Sequence, residues 1–78
     1  MRIFITGATG FVGTHLRRYL LDATDWTLVG TAYPTAPENA QPSERERLIY
    51  LDLRDRTLTE AALQEYQPDF IVHLAAQS

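Results

Sequence analysis

The sequence opens with MRIFITGATGFVG, residues 1–13, and this stretch decides the fold. Its first part, Arg2–Thr6, is nearly continuous in apolar character and predicts a strand with both faces covered. Glycines follow at positions 7, 10 and 13, and a helix-like pattern begins at Phe11. The order of strand, glycine-rich turn and helix is the arrangement that builds a dinucleotide-binding site.

The glycine spacing has a chemical reason, although it departs from the commoner G-x-G-x-x-G fingerprint. The chain must turn sharply and bring its backbone close to a pyrophosphate, and a Cβ would obstruct both. The following helix points its free N–H groups at the phosphates, with Phe11 and Val12 as backbone donors. The alternative is a glycine-rich turn without a ligand. A phosphate loop of the G-x-x-x-x-G-K-[ST] kind is excluded because the chain contains no lysine.

Three stretches stand out, TGATGFVG at residues 6–13, Leu51-Asp52-Leu53 and DFIVHLAA at residues 69–76. Together they resemble the extended short-chain dehydrogenase/reductases, the family of sugar-nucleotide epimerases, dehydratases and reductases. TGATGFVG, residues 6–13, resembles the family's T-G-x-x-G-F-x-G turn. Leu51-Asp52-Leu53 is similar to its acidic-then-apolar pair, in which the carboxylate and the next backbone group address adenine. DFIVHLAA, residues 69–76, is similar to the segment whose alanines let a strand end run beneath the nicotinamide ribose and pyrophosphate.

The resemblance implies a set of cofactor-binding residues and one substrate-binding residue. The cofactor-binding residues are Gly7, Thr9, Gly10, Phe11, Val12, Gly13, Tyr33, Asp52, Leu53, Leu74, Ala75, Ala76 and Gln77. Ser78 is expected near the substrate sugar or its phosphates. Asp52 suits its role because the adenine amino group is a donor that needs an acceptor. Its alternative role is that of a turn or cap residue at a strand end.

The choice between NAD and NADP depends on the end of the second strand. An acidic side chain there binds the ribose 2′-hydroxyl of NAD, and an arginine accepts the 2′-phosphate of NADP. This sequence offers Ala32-Tyr33-Pro34-Thr35, and the missing acid favours NADP, with NAD as the alternative. Tyr33 is expected beneath adenine, and Arg45 or Arg47 is the expected phosphate partner.

The resemblance also indicates a reaction class. Ala75-Ala76-Gln77-Ser78 is most like the segment in GDP-mannose 4,6-dehydratases and GDP-4-keto-6-deoxy-mannose reductases, while enzymes of dTDP-, UDP- or CDP-sugars remain open. The implied reaction is hydride transfer between nicotinamide C4 and a sugar carbon. The family's catalytic tyrosine stands in a Y-x-x-x-K motif, which a chain without lysine cannot carry. We therefore predict no catalytic residue and no metal ligand within this chain.

The chain is predicted to be the N-terminal part, residues 1–78, of an NAD(P)-binding Rossmann domain. The catalytic and sugar-binding parts would lie elsewhere, and the segment alone is expected to be inactive. The resemblance implies a possible homodimer through regions beyond this chain. The alternative is a noncatalytic NAD(P)-binding or protein-interaction module.

The remaining periodicity predicts a parallel α/β sheet with strand order 3-2-1-4. A helix runs from Phe11 to about Ala23, with Val12, Leu16, Tyr19 and Leu20 on its apolar face and Arg17 and Arg18 in solvent. The other expected elements are a strand over Trp26–Tyr33, a loop over 34–47, a strand over Leu48–Leu51 and a strand over Phe70–Leu74. His73 is expected to pack rather than act chemically.

A second helix is expected to start near Asp55 or Thr57 and to end before Pro68. Thr57-Leu58-Thr59-Glu60 fits a capping box, and Pro68 disfavours helical geometry at Gln67. The apolar face of this helix would consist of Leu58, Ala62, Leu63 and Tyr66.

Composition excludes several classes of function. The 78 residues carry a net charge of −3 with acidic and basic residues interspersed, so no basic face predicts binding to nucleic acid or an anionic membrane. The absence of cysteine leaves no disulfide framework and favours a reducing, cytoplasmic location. The length is short for a complete α/β domain.

Overall fold

The computed structural model describes residues 1–75 and shows a four-stranded parallel sheet with a helix on each face. The strands are β1 (Arg2–Thr6), β2 (Thr27–Ala32), β3 (Glu46–Tyr50) and β4 (Phe70–His73), and the helices are α1 (Phe11–Ala23) and α2 (Arg56–Tyr66). All strand pairs are parallel, in the order β3-β2-β1-β4. The predicted Rossmann-type α/β fold and strand order are confirmed.

Side-chain alternation along β1 divides the core between the two faces of the sheet. Ile3 and Ile5 face α1, where they pack with Leu20 and Leu28. Phe4 points to the other face and packs with residues that include Ala62 of α2. Because successive strand residues point to opposite faces, a continuous apolar run is what two covered faces require.

The buried face of α1 differs in part from the predicted one. Gly13 and Leu20 are buried and Leu16 packs against the core, but Val12 and Tyr19 are 59% and 65% exposed. Each helical residue is rotated by about 100° from the last, so positions 12 and 19 lie to one side of a face centred on 13 and 20. The predicted apolar stripe was therefore too wide.

A buried ion pair explains why β3 begins two residues earlier than predicted. Glu46 is buried, at 4% exposure, and pairs with Arg17 of α1, while its backbone is in register with Leu28 of β2. Arg17 also donates from Nε to the Ala8 carbonyl at 2.8 Å. The prediction of a solvated Arg17 and of a loop continuing through Arg47 was wrong, because the two opposite charges can be buried together.

The second helix begins with a different cap from the one predicted. Asp55 is the N-cap residue, and its Oδ1 accepts from the Leu58 N–H at 3.1 Å, so the capping box at Thr57 does not form. Leu58 is 56% exposed rather than part of the buried face. The helix ends at Tyr66 as expected, and Gln67 adopts a left-handed conformation, with φ of 44°, directly before Pro68.

Neither α1 nor α2, the helices found within residues 1–75, is long and apolar enough to cross a membrane.

The Arg17–Glu46 pair gives a testable prediction about stability. In the native full-length protein, Glu46→Leu should lower the free energy of unfolding by about 3–5 kcal/mol, because it leaves a charge buried without its partner. Adding Arg17→Met should restore part of the loss, and the exposed Arg47→Gln is the matched control. Denaturant unfolding measures Glu46→Leu, Arg17→Met, the double variant and Arg47→Gln. A double variant as unstable as the sum of the two singles would contradict the prediction.

Candidate dinucleotide-binding site

Two hydrogen bonds to β2 hold the glycine-rich turn between β1 and α1. The Gly7 N–H donates to the Thr31 hydroxyl at 3.2 Å, and the Ala8 N–H donates to the Thr31 carbonyl at 2.9 Å. Thr31 is buried, at 2% exposure. Gly30 makes room for this contact, since a Cβ there would lie 2.4 Å from the Ala8 Cβ. The glycine within β2 therefore serves the close approach of the turn.

The three glycines of the turn are required for different reasons. Gly7 has a positive φ of 68°, and a Cβ on it would lie 2.9 Å from the Ala75 nitrogen. A Cβ on Gly13 would lie 2.4 Å from the Gly7 carbonyl oxygen. At Gly10 the nearest atom would be the Gly7 oxygen at 3.5 Å, an ordinary contact. Gly7 and Gly13 are thus needed for folding, whereas Gly10 leaves space on the open side of the turn.

The N-terminus of α1 opens beside that space. Gly10 is its N-cap residue and provides no side-chain cap, and the first intrahelical bond runs from the Thr14 N–H to the Gly10 carbonyl at 2.9 Å. The N–H groups of the first helical turn have no intrahelical partners, and together with the positive end of the helix dipole they favour an anion. A pyrophosphate suits this position, because it is an anion and Gly10 has no side chain to limit its approach to these N–H groups.

The end of β4 is joined to the glycine turn through the Thr6 hydroxyl. Thr6 Oγ1 accepts from the backbone N–H groups of Leu74 at 3.0 Å and Ala75 at 3.2 Å. It also lies 2.7 Å from His73 Nδ1. With both lone pairs of Oγ1 engaged, its proton must be donated to Nδ1, so the proton of a neutral His73 ring is on Nε2. His73 is exposed and takes part in a polar network, which corrects the prediction of a purely packing role.

A crevice of about 1080 Å³ lies between these elements, at the carboxyl end of the sheet. This is a volume sufficient for a large organic ligand. Its lining residues are Gly7, Thr9, Gly10, Thr31, Tyr33, Pro34, Thr35, Leu51, Asp52, Leu53, Arg54, His73, Leu74 and Ala75. The crevice spans the point between β1 and β4 where the strand order reverses, which is where doubly wound sheets bind ligands.

One wall of the crevice carries a polar cluster of Tyr33, Asp52 and Arg54. The Arg54 guanidinium forms a fork on Asp52, with Nε to Oδ1 and Nη2 to Oδ2 both at 3.0 Å. Nη2 also donates to the Tyr33 hydroxyl at 3.1 Å, and the guanidinium carbon lies 5.7 Å from the centre of the Tyr33 ring. Tyr33 in turn contacts Tyr50, with ring centres 5.6 Å apart.

Asp52 retains an acceptor position despite these bonds. Oδ1 accepts from the Arg54 backbone N–H and from Nε, and Oδ2 accepts from Nη2. A carboxylate offers about four lone-pair positions, so one on Oδ2 remains for a donor such as an adenine amino group. The side-chain and backbone hydrogen bonds from Arg54, with its positive charge, lower the pKa of Asp52, and the carboxylate is therefore ionised at neutral pH.

The structure corrects one predicted phosphate partner. Arg45 points into the protein, where it donates to the carbonyls of Leu21, Thr24 and Trp26 at 2.6, 2.9 and 2.8 Å. It satisfies acceptors at the C-terminus of α1, so it is committed to the fold. Arg47 is exposed and donates to the Gln41 side chain at 2.9 Å, and it is not among the residues that line the crevice.

Most of the predicted site residues converge. The lining includes Gly7, Thr9, Gly10, Tyr33, Asp52, Leu53, Leu74 and Ala75. Phe11, Val12 and Gly13 stand beside it in the first turn of α1. Ala76, Gln77 and Ser78 lie outside the described residues.

Sequence reasoning missed Thr31 and Arg54. Thr31 gave no signal, because a threonine inside a strand is ordinary. Arg54 did give one, since it stands two residues after Asp52 at the same strand end.

The parallel sheet, the glycine turn and the crevice at the topological switch point define a dinucleotide-binding Rossmann unit. The model of the NAD dependent epimerase/dehydratase family matches residues 3–78. The chain belongs to that family, which confirms the resemblance to the extended short-chain dehydrogenase/reductases.

Three relatives illustrate this similarity. A dTDP-glucose 4,6-dehydratase of Haemophilus influenzae is 31% identical over all of this chain, which covers 25% of the relative. Subunit beta of methionine adenosyltransferase 2 of Xenopus tropicalis is 33% identical over 97% of this chain and 20% of its own length. The Bordetella bronchiseptica enzyme WbmG, crystallised in complex with NAD, superimposes with a TM-score of 0.85 at 28% identity, over 100% of this chain and 26% of WbmG. The chain thus spans about a quarter of the length of the dehydratases it matches.

The different roles of the glycines can be tested by stability. Gly13→Ala should destabilise the native full-length protein by about 1–3 kcal/mol or more, because the methyl group meets backbone atoms that cannot move aside cheaply. Gly10→Ala should leave the unfolding midpoint nearly unchanged, since φ there is −73° and the space is open. Thermal unfolding of the two variants makes the comparison, and equal losses would refute it.

The Asp52–Arg54 contact predicts a pH effect. The native pKa of Asp52 is below its ordinary value of 3.8. The contact therefore stabilises the fold above that value, and its contribution is lost as the pH falls through the lowered pKa.

Carboxyl NMR of isotope-labelled aspartate should show the Asp52 midpoint below 3.8. Arg54→Gln should raise that midpoint, and Arg56→Gln should leave it unchanged. A midpoint at or above the ordinary value in the unmodified protein would show that the contact does not form in solution.

Proposed function

We propose that this chain is the cofactor-binding segment of an NAD(P)-dependent nucleotide-sugar dehydratase, epimerase or reductase. The observation that carries the proposal is the convergence of Gly10, the N-terminus of α1 and the end of β4 on one crevice, with Asp52 at its far wall. The glycine turn and the end of β4, which are far apart in the sequence, thus line the same crevice. We propose that the dinucleotide binds in this crevice.

Each part of the crevice suits a different part of the cofactor. The first N–H groups of α1, on Phe11 and Val12, would bind the pyrophosphate. Asp52 would accept from the adenine amino group, and Leu53 would contact the same ring. Leu74 and Ala75 would lie along the nicotinamide ribose. When bound, the nicotinamide supplies hydride transfer to and from a sugar carbon.

The residues that hold and protonate the sugar are proposed to lie outside this chain. The family mechanism needs a serine or threonine and a tyrosine assisted by lysine, and no lysine occurs in these 78 residues. The proposal therefore includes a sugar-binding part and any homodimer contacts beyond the segment. It also includes a cytoplasmic location, as the sequence predicts.

The substrate is proposed to be a nucleotide sugar, with a GDP-mannose type favoured by Ala75-Ala76-Gln77-Ser78. Relatives named as dTDP-glucose 4,6-dehydratases support a competing dTDP-sugar assignment. Incubation of the full-length protein with GDP-mannose, dTDP-glucose and UDP-glucose would separate these, since each product is resolved by mass and chromatography.

A second candidate function is a noncatalytic NAD(P)-binding or protein-interaction module. It is favoured by the relative that is named as a subunit of methionine adenosyltransferase 2. Binding of NAD(P) by a full-length protein that turns over no nucleotide sugar would support this candidate and overturn the catalytic proposal.

Cofactor binding is tested first by calorimetric titration of the full-length protein with NAD and NADP. Gly10→Ala should weaken binding by about tenfold or more, equivalent to at least about 1.4 kcal/mol, because the methyl group obstructs the pyrophosphate. Gln64→Ala, on the exposed surface of α2, is the control and should bind normally. Unchanged affinity in Gly10→Ala would contradict the proposed position of the pyrophosphate.

A further inference from the structure

The crevice contains an exposed cation that is not buried in the core of the fold. Arg54 is the one arginine among its lining residues within the described part of the chain. Its side chain is 79% exposed. Arg45, in contrast, is committed to the carbonyls at the end of α1. The anionic partner of Arg54 in the fold is Asp52, on the same wall of the crevice, and the guanidinium stays accessible to a ligand.

Part of the Arg54 guanidinium is free for a second anion. The Nε and Nη2 groups form the fork on Asp52, and the second proton of Nη2 points to the Tyr33 hydroxyl. The remaining nitrogen, Nη1, hydrogen-bonds to no residue within 1–75. Asp52 therefore fixes the plane of the group, and Nη1 keeps its N–H donors. The Tyr33 hydroxyl, which accepts from Nη2, has its own proton to donate. Guanidinium and hydroxyl donors both suit phosphate oxygens.

Tyr33 connects this cation to the position that discriminates NADP from NAD. Tyr33 is the first residue after β2, and the 2′ position of the adenosine ribose lies at the end of this strand in Rossmann domains. No carboxylate occurs in Ala32-Tyr33-Pro34-Thr35. Asp52 is the acidic residue among the described lining residues, and Arg54 already neutralises it. A 2′-phosphate would meet no unpaired negative charge here.

We infer that Arg54 and Tyr33 form the recognition site for the adenosine 2′-phosphate, so that the crevice selects NADP over NAD. Arg54 is a specificity-determining residue in this inference, which rests on the proposed function. The Asp52–Arg54 fork remains in place when the nucleotide binds. The open acceptor position on Asp52 Oδ2 takes the adenine amino group, and Arg54 Nη1 with the Tyr33 hydroxyl takes the phosphate.

The experiment compares adenosine 2′,5′-bisphosphate with AMP, two probes that differ by the 2′-phosphate alone. The unmodified full-length protein should bind the bisphosphate about tenfold to 100-fold more tightly, as expected for charge-assisted hydrogen bonds. Arg54→Gln should abolish this preference while changing the affinity for AMP less than about threefold. The preference should also decrease with increasing salt, because the site is exposed.

Matched variants separate charge from folding. Arg54→Lys should retain part of the preference through its charge, and Tyr33→Phe should reduce it by removing the hydroxyl. Arg47→Gln changes an exposed arginine outside the crevice and should leave both affinities unchanged. Thermal unfolding of Arg54→Gln checks that the variant is folded.

The outcomes distinguish this inference from the proposed function. A loss of affinity confined to the bisphosphate supports the inference. Equal losses for both probes, no loss, or tighter binding of both would overturn it while leaving NAD(P) binding intact. If the unmodified protein binds neither probe and neither dinucleotide, the proposed function fails and the inference fails with it.

Discussion

The rest of the structure depends on the close approach of the turn after β1 to the ends of β2 and β4. Backbone atoms of Gly7 and Ala8 bond to Thr31 on one side, and a Cβ on Gly7 would touch the Ala75 nitrogen on the other. Small residues are required wherever these segments meet. The same compactness that packs the turn places Gly10, the N-cap residue of α1, at the crevice. One steric requirement therefore governs both the fold and the position of the proposed anion site.

Polar groups reinforce this arrangement instead of weakening the core. Arg17 bonds to the Ala8 carbonyl behind the turn and to Glu46 at the start of β3. Thr6 uses its hydroxyl to bind two N–H groups at the end of β4. Buried polar atoms cost free energy unless they are paired, and here the pairing occurs between elements distant in sequence. The interactions therefore fix how the strands and helices are positioned around the crevice.

The wall of the crevice that carries the polar cluster has contacts of a different kind, exposed to solvent instead of buried. Tyr33, Asp52 and Arg54 bind one another at the surface, where solvent and salt weaken ion pairs. Such a cluster adds little to stability, but it determines which donors and acceptors face a ligand. The buried contacts that stabilise the fold thus surround the glycine turn, and the cluster that we propose to select the ligand lies at the surface.

The sequence by itself determined the order and kind of the elements, since apolar periodicity, the glycine spacing and Pro68 are local signals. It predicted the bounds of β1 and α1 and the strand order 3-2-1-4. It also assigned the glycine turn, Leu74 and Ala75 to one cofactor, and the structure brings residues of both segments to one crevice. Only the tertiary structure decided the partners of charged residues. In the sequence, Glu46 resembled a loop residue and Arg45 a phosphate ligand. Their partners are distant in the sequence, so the pairing of these charged side chains is known only from the folded structure. For the same reason, the position of Arg54 in the crevice emerged from the fold.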